Sequence, residues 1–526
     1  MVTLTRTTAA AVLALAVSTP AFAQEPEVEN VILMISDGIG FNGWLASDYY
    51  QGRAGAQPYQ VTRPDGTEPV TLGMAHYSLR LLDEAGRVLP NGVDPARAAA
   101  AVSQGYDPIA RWYRFENAFL NDFPPVEEAY TSYTDSAAAG STMQNGRKTA
   151  NGRLNMDWTG EVPLRTIARI AMDQGRSAGA VSTVMAAHAT PASVIAHNVS
   201  RNNYPAIFNE MVDSDLDVIM GAGHPLYDAS GNRLEPDPDD AEAFEYVGGP
   251  ETWARLTSDE GLNGFTFIDD VAEFERLAAG EDVPERVVGI GRSISTLQAQ
   301  REGLPAGDTV SGMARRDDVP SLATMTLGAL EVLDRNPNGF YLMAEGGAVD
   351  WMGHANDMAR FIEEQIDFDR AVAAVIDWVE ENSSWDETLL IVTSDHETGG
   401  IWGAGTFRNG EGGLIAADRS EAAIEAARFD PRDDTFVEFR AVQNLGAGRL
   451  PGYQWASGNH TNELVPLWAL GAGAETFHEF TRTDRQAAEL WGEPYGWDGA
   501  YVDNTAVFHV MNAAFAATGE RETASR

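Results

Sequence analysis

Short unbroken apolar runs recur along the chain at 31–35, 178–182, 218–220, 340–343, 389–392 and 467–470. Runs of this length without polar alternation predict strands buried on both faces. Between them the period lengthens. Ile362, Ile366, Ala373 and Ile376 space as one face of a helix ending before Asn382, and 162–174 and 319–335 show similar patterns. Strands alternating with helices predict an α/β fold: a three-layer α/β/α sandwich with a central, mostly parallel sheet.

Two stretches break the alternation. Residues about 44–130 and 401–456 are rich in Gly, Pro, Asp and aromatics, and read as long insertions. Residues 226–285 are turn-rich and acidic, most densely at 235–245. At the start, Arg6, the apolar stretch 9–17 and Ala21-Phe22-Ala23 make a charged end, a short apolar core and a small-x-small cleavage pattern. Residues 1–23 are therefore expected to be a secretory signal. The mature chain would begin near Gln24, soluble and periplasmic or secreted, since no later run reaches the roughly 20 apolar residues of a membrane span.

Composition then narrows the chemistry. The chain has no cysteine, which excludes disulfides and thiolate ligands, so a transition metal must rely on His, Asp, Glu or hydroxyl groups. There are nine histidines to consider. The formal charge is −42, from 78 acidic and 36 basic residues, and Lys148 is the one lysine. Repulsion disfavours nucleic acid and anionic membranes as partners. A solvated acidic surface suited to salty surroundings is the plain reading, and a partner-docking surface the alternative. An anionic substrate would need local positive charge inside its site, which metal ions would supply.

Three of the apolar runs end alike. The run at 31–35 leads into Ser36-Asp37-Gly38, that at 340–343 into Glu345-Gly346-Gly347, and that at 389–392 into Asp395-His396. In a parallel sheet the carboxyl ends of strands line the ligand crevice. Three carboxylates gathered there are costly unless cations neutralise them. Asp350 and His354, at i and i+4, share a helix face and with Glu345 form E-x4-D-x3-H. His460 adds a further nitrogen. Such a set suits two zinc ions plus a harder oxygen site for magnesium. Taken singly, an Asp after a strand is more often a helix cap. In Thr134-Asp135-Ser136-Ala137-Ala138, Ser136 or Asp135 reads first as a helix cap, with Ser136 as a nucleophile at the helix start the other reading.

In order, the motifs are S-D-G at Asp37, T-D-S-A-A at Ser136, HATPASVIAHNVSR at 188–201, EGGAVDWMGH at 345–354, TSDHETGG at 393–400 and GNHTNELVP at 458–466. Together they resemble the alkaline phosphatase family, from residue 31 to about 511. The resemblance implies that Asp350, His354 and His460 hold one zinc, and that Asp37, Asp395, His396 and the Ser136 oxygen hold the second. It also implies that Asp37 bridges to a magnesium held by Thr190 and Glu345, giving two Zn2+ and one Mg2+ per subunit. Arg201 would clamp two phosphoryl oxygens. His188 and Trp351 stand where some members carry Asp and Lys, positions that touch the magnesium site and the bound phosphate.

What the resemblance implies is hydrolysis of small phosphate monoesters through a phosphoserine on Ser136, releasing inorganic phosphate at alkaline pH. The alternative is a phosphodiesterase or another two-metal hydrolase of the same superfamily. A homodimer is implied as well, each chain a single catalytic domain over 24–526 with its insertions.

Overall fold

The computed structural model has an eleven-stranded sheet at its centre. The structure describes residues 28–87, 89, 95–103, 105–106, 133–408, 436–437, 439–455 and 458–524. The expected signal at 1–23 lies outside these residues, as do 107–130 of the first expected insertion and 409–435 of the second.

All six apolar runs are strands of this sheet: Asn30–Ser36, Ser177–Met185, Val218–Ala222, Phe340–Gly346, Thr388–Thr393 and Val465–Gly471. Across the sheet the order is 482–483, 500–503, 70–75, 465–471, 388–393, 30–36, 340–346, 177–185, 218–222, 287–290 and 266–268. Only 465–471 and 482–483 run against the rest. Along Asn30–Ser36, Val31, Leu33 and Ile35 enter one core while Ile32 and Met34 enter the other. Both faces are covered, which is why the run carries no polar residue.

One face packs against helices Phe41–Gln51, Leu322–Leu333 and Met358–Asn382. The other packs against Ser136–Asn145, Ile167–Asp173 and Tyr204–Asp213. The expected sandwich is therefore present, and the helices expected at 162–174 and 319–335 are shorter at both ends. No helix among the described residues is long and apolar enough to cross a membrane.

The first expected insertion is not purely an excursion. Its residues Val70–Ala75 form a sheet strand between 465–471 and 500–503. Thr71 and Gly73 dilute the apolar signal of that strand. Gly73 is needed because a Cβ there would come within 2.9 Å of the Trp497 ring. The edge strands Thr266–Ile268 and Arg482–Thr483 are too short, and partly too exposed, to stand out as apolar runs.

Asn30–Ser36 lies between Phe340–Gly346 and Thr388–Thr393, parallel to both, with Ile35 opposite Glu345 on one side and Thr393 on the other. In-register parallel strands end at one edge. That edge receives Asp37, Glu345 and Asp395 together.

Candidate active site

The loop after Asn30–Ser36 turns at Gly38, whose φ of +75° strains any residue with a Cβ. A Cβ there would also sit 2.7 Å from the Asp350 Cα, so the loop is pressed against the helix Ala348–His354. This contact brings Asp37 beside the E-x4-D-x3-H segment. Asp395 accepts from the Gly38 and His396 amides through Oδ1, at 3.2 and 3.0 Å, which fixes it beside Asp37.

Ser136 is the first residue of the helix Ser136–Asn145, and Asp135 is its cap, accepting from the Ala138 amide at 2.9 Å. The residues after Ser136 are small because this helix packs tightly. A Cβ on Gly140 would come within 2.8 Å of Ser193 Oγ, beside the short helix Ala189–Ala192. Asp135 thus caps the helix, and Ser136 Oγ, not needed for that, lies 3.2 Å from His396 Nε2.

The expected ligands converge. His396 Nε2 lies 3.2 Å from Asp395 Oδ2 and 3.4 Å from Asp37 Oδ1. His354 Nε2 and His460 Nε2 face each other at 3.1 Å, at 3.4 and 3.5 Å from Asp350 Oδ1. Three groupings could each hold an ion: Asp350 with His396 and His460, Asp37 with Asp395 and His396, and Asp37 with His188 and Glu345. The last brings His188 to the expected magnesium position, beside its expected place at the phosphate. Thr190 is buried next to it, in the helix that begins after His188.

These residues fit cations and little else. Both oxygens of Asp37, Asp395 Oδ2, Glu345 Oε1 and Thr190 Oγ1 are buried with no hydrogen-bond partner. Burial and the charges of Asp395, Asp350 and Glu345 push Asp37 far above the usual carboxylate range. Burial takes Asp395 up to about 6 and Glu345 up to about 7. Burial opposes ionisation of Asp350 too, but His354 and His460 outweigh it and hold that carboxyl well below its ordinary value. His188 is pushed down to about 3 by burial and the Arg201 charge. Without cations, several of these groups keep or lose protons against their ordinary habit, and bound cations would remove that frustration.

Arg201, the last residue of the 188–201 segment, reaches the site from a turn. Its Nη1 donates to Asp135 Oδ2 at 3.1 Å, and Nη2 lies 3.0 Å from His188 Nε2. Asp135 Oδ2 also accepts from the Gly152 amide, so one carboxylate both caps the helix of Ser136 and holds the guanidinium. Arg201, Ser136, His188 and Trp351 line a single cavity of about 600 Å³. Every expected site residue is thus gathered at the carboxyl edge of the sheet. Sequence reasoning missed Asp135, treating it as a cap, and Thr398, a polar residue two positions beyond His396. Nothing local marks either one, because their partners lie 66 and 48 residues away.

Unneutralised carboxylates and histidines around a buried serine are the makings of a metal-dependent hydrolase. The family model described as alkaline phosphatase matches residues 125–490, more than half of the chain, and the chain belongs to that family. It is an enzyme, an alkaline phosphatase. Alkaline phosphatase 4 of Bacillus subtilis (strain 168) is 28% identical over 389 residues, covering 67% of this chain and 75% of that protein. The streptomycin-6-phosphate phosphatase of Streptomyces griseus is 29% identical over 370 residues, covering 65% and 74%. Among solved structures, the alkaline phosphatase of the Antarctic bacterium TAB5 matches with a TM-score of 0.52 at 20% identity, covering 94% of this chain and 99% of that one. The Thermus thermophilus alkaline phosphatase matches with a TM-score of 0.52 at 19% identity, covering 96% of each chain.

Proposed function

We propose that this protein hydrolyses phosphate monoesters through a phosphoserine on Ser136, releasing inorganic phosphate. The observation that carries the reading is Ser136 Oγ at the start of its helix, 3.2 Å from His396 Nε2, in one cavity with the Arg201 guanidinium. Asp350, His354 and His460 would hold one zinc, and Asp37, Asp395, His396 and Ser136 the second. Asp37, Thr190 and Glu345 would hold magnesium, with His188 at its edge. A TAB5 alkaline phosphatase variant with a histidine replaced by aspartate has magnesium bound in its M3 site, which supports a third-ion reading here. When bound, the ions supply positive charge that lowers the serine pKa and offsets charge developing on oxygen.

The chain's own residues do the rest. Arg201, restrained by Asp135, forks onto two phosphoryl oxygens and orients phosphorus toward Ser136. The helix dipole favours anionic Oγ at that position. Ser136 releases its hydroxyl proton to solvent, Oγ–P forms as the bond from phosphorus to the leaving oxygen breaks, and the departing alkoxide takes a proton from solvent. Water then attacks phosphorus, Oγ–P breaks, and Ser136 regains its proton. Ligands must be deprotonated to bind ions, so activity should rise toward alkaline pH.

Ser136→Ala should lose most hydrolysis of phenyl phosphate yet still bind zinc; near-normal turnover would sink the assignment. Chelation should abolish activity, and zinc with magnesium should restore it. Turnover of a phosphodiester at or above that of a monoester would favour the alternative reading. We further propose a homodimer of one catalytic domain over 24–526, secreted or periplasmic after loss of residues 1–23. Sedimentation and N-terminal sequencing of the exported protein test these points.

A further inference from the structure

Resting on the monoesterase reading, we propose that the site selects substrates whose leaving group is an uncharged aromatic alcohol, seated by Tyr133, Trp351 and Val199, and rejects those carrying a second anionic group. The cavity of about 600 Å³ is far larger than a phosphoryl group needs and falls in the range of small-molecule pockets. Its lining beyond Ser136 and Arg201 includes two aromatic rings on different ligand histidines. Tyr133 stands edge-on to His460, with ring centroids 5.9 Å apart at 74°. Trp351 stands edge-on to His188, 6.0 Å apart at 61°. Two residues before Arg201, Val199 presents an apolar side chain to the same cavity and is 47% exposed, second only to Val162 among the exposed large hydrophobics of the described residues. Val199 belongs to none of the hydrophobic cores among the described residues. It makes sense as a wall for an apolar leaving group.

Charge points the same way. Among the described lining residues, Arg201 is the one lysine or arginine, and its guanidinium already meets Asp135 and His188. The phosphoryl group would take what remains. A carboxylate or second phosphate on the leaving group finds no second lysine or arginine among the described lining residues to pair with, and approaches a chain of formal charge −42.

The test compares kcat/KM for phenyl phosphate and 3-carboxyphenyl phosphate, whose leaving groups are of similar acidity, in the zinc- and magnesium-loaded enzyme. Wild type should prefer phenyl phosphate by about tenfold or more. Val199→Lys should shrink that ratio by about tenfold, whereas Val199→Asp should widen it. Trp351→Ala and Tyr133→Ala should each reduce the advantage of 1-naphthyl phosphate over ethyl phosphate. A wild-type ratio near one, or a ratio unmoved by Val199→Lys, overturns the proposal. If neither aryl ester is hydrolysed, the monoesterase reading fails instead; if both are hydrolysed with unchanged ratios, only this inference does.

Discussion

The hydroxyl of Thr398 donates to Asp350 Oδ1 at 2.6 Å and stands 3.3 Å from His396 Nδ1. One side chain therefore touches a candidate ligand of each proposed zinc site. With Nδ1–H of His396 donating to this hydroxyl, Nε2 is left with its lone pair toward Asp37, Asp395 and Ser136. Partners of this kind, behind the ligands, commonly change metal affinity by tenfold to a hundredfold when removed. Thr398→Val should weaken zinc binding by about that factor, whereas Thr398→Ser should keep it. Calorimetric titration of zinc into chelator-stripped protein reads this directly, and equal affinities for Val and Thr would refute the role.

Asp135 holds two structures at once, and its variants should separate them. Asp135→Ala removes the cap of the helix Ser136–Asn145 and should cost about 1 kcal/mol of stability. Asp135→Asn keeps a capping oxygen for the Ala138 amide but turns an NH2 toward the Gly152 amide or Arg201. Its stability should recover only in part. Arg201→Lys tests the fork itself: a point charge cannot pair with Asp135 and grip two oxygens together. A loss of roughly 100-fold in kcat/KM is expected, of the size seen when one transition-state donor is removed. Weaker inhibition by inorganic phosphate should accompany it.

Much of this was legible because the chain keeps its ligands close to buried strands. Asp37 follows Ser36 directly, and Asp395 follows Thr393 by two residues, so an apolar run announces each carboxylate. Val70–Ala75 was hidden because Thr71 and Gly73 interrupt its apolar run, and Gly73 is kept small by the Trp497 ring. The double duty of Asp135 and the bridging of Thr398 were hidden for another reason. Both depend on which distant segments the sheet order brings together, such as Gly38 against Asp350, and no local spacing encodes that. His188 is expected at both the magnesium site and the phosphate, and the adjacent ends of strands 177–185 and 340–346 bring it to Asp37 and Glu345.

A second pair of buried carboxylates lies behind the sheet and should shape the pH dependence of stability. Asp48 accepts from Gln57, Gln60 and Tyr495, and Asp369 from Gln51, Tyr59 and Gln365. Burial and the nearby Asp369 charge push Asp48 up to about 8, and burial pushes Asp369 up to about 6. Both folded values exceed the unfolded value of about 4. The folded state thus holds protons that the unfolded chain releases. The pair's favourable contribution is complete below about pH 4 and is lost as pH rises toward 8. Asp48→Asn should flatten the fall in unfolding free energy between pH 5 and 8 relative to wild type. Parallel profiles from urea melts of the two loaded proteins would contradict it.

Lys148 closes the loop after the Ser136 helix onto the far end of the chain. Its Nζ donates to Asn504 Oδ1 at 2.5 Å, lies 3.1 Å from Asp503 Oδ2 and sits 3.8 Å from the centre of the Tyr77 ring. Burial lowers its pKa, although Asp503 works against that. The chain's one lysine is therefore spent inside, while its surface cations are arginines. Lys148→Met keeps the apolar stem but strands Asp503 without its cation, and should cost about 2 kcal/mol. Adding Asp503→Asn removes the stranded charge, so the double variant should be more stable than the sum of the single losses by about 1 kcal/mol. Additive losses in urea melts would mean that the pair carries no energy of its own, and that Lys148 acts only through Tyr77 and Asn504.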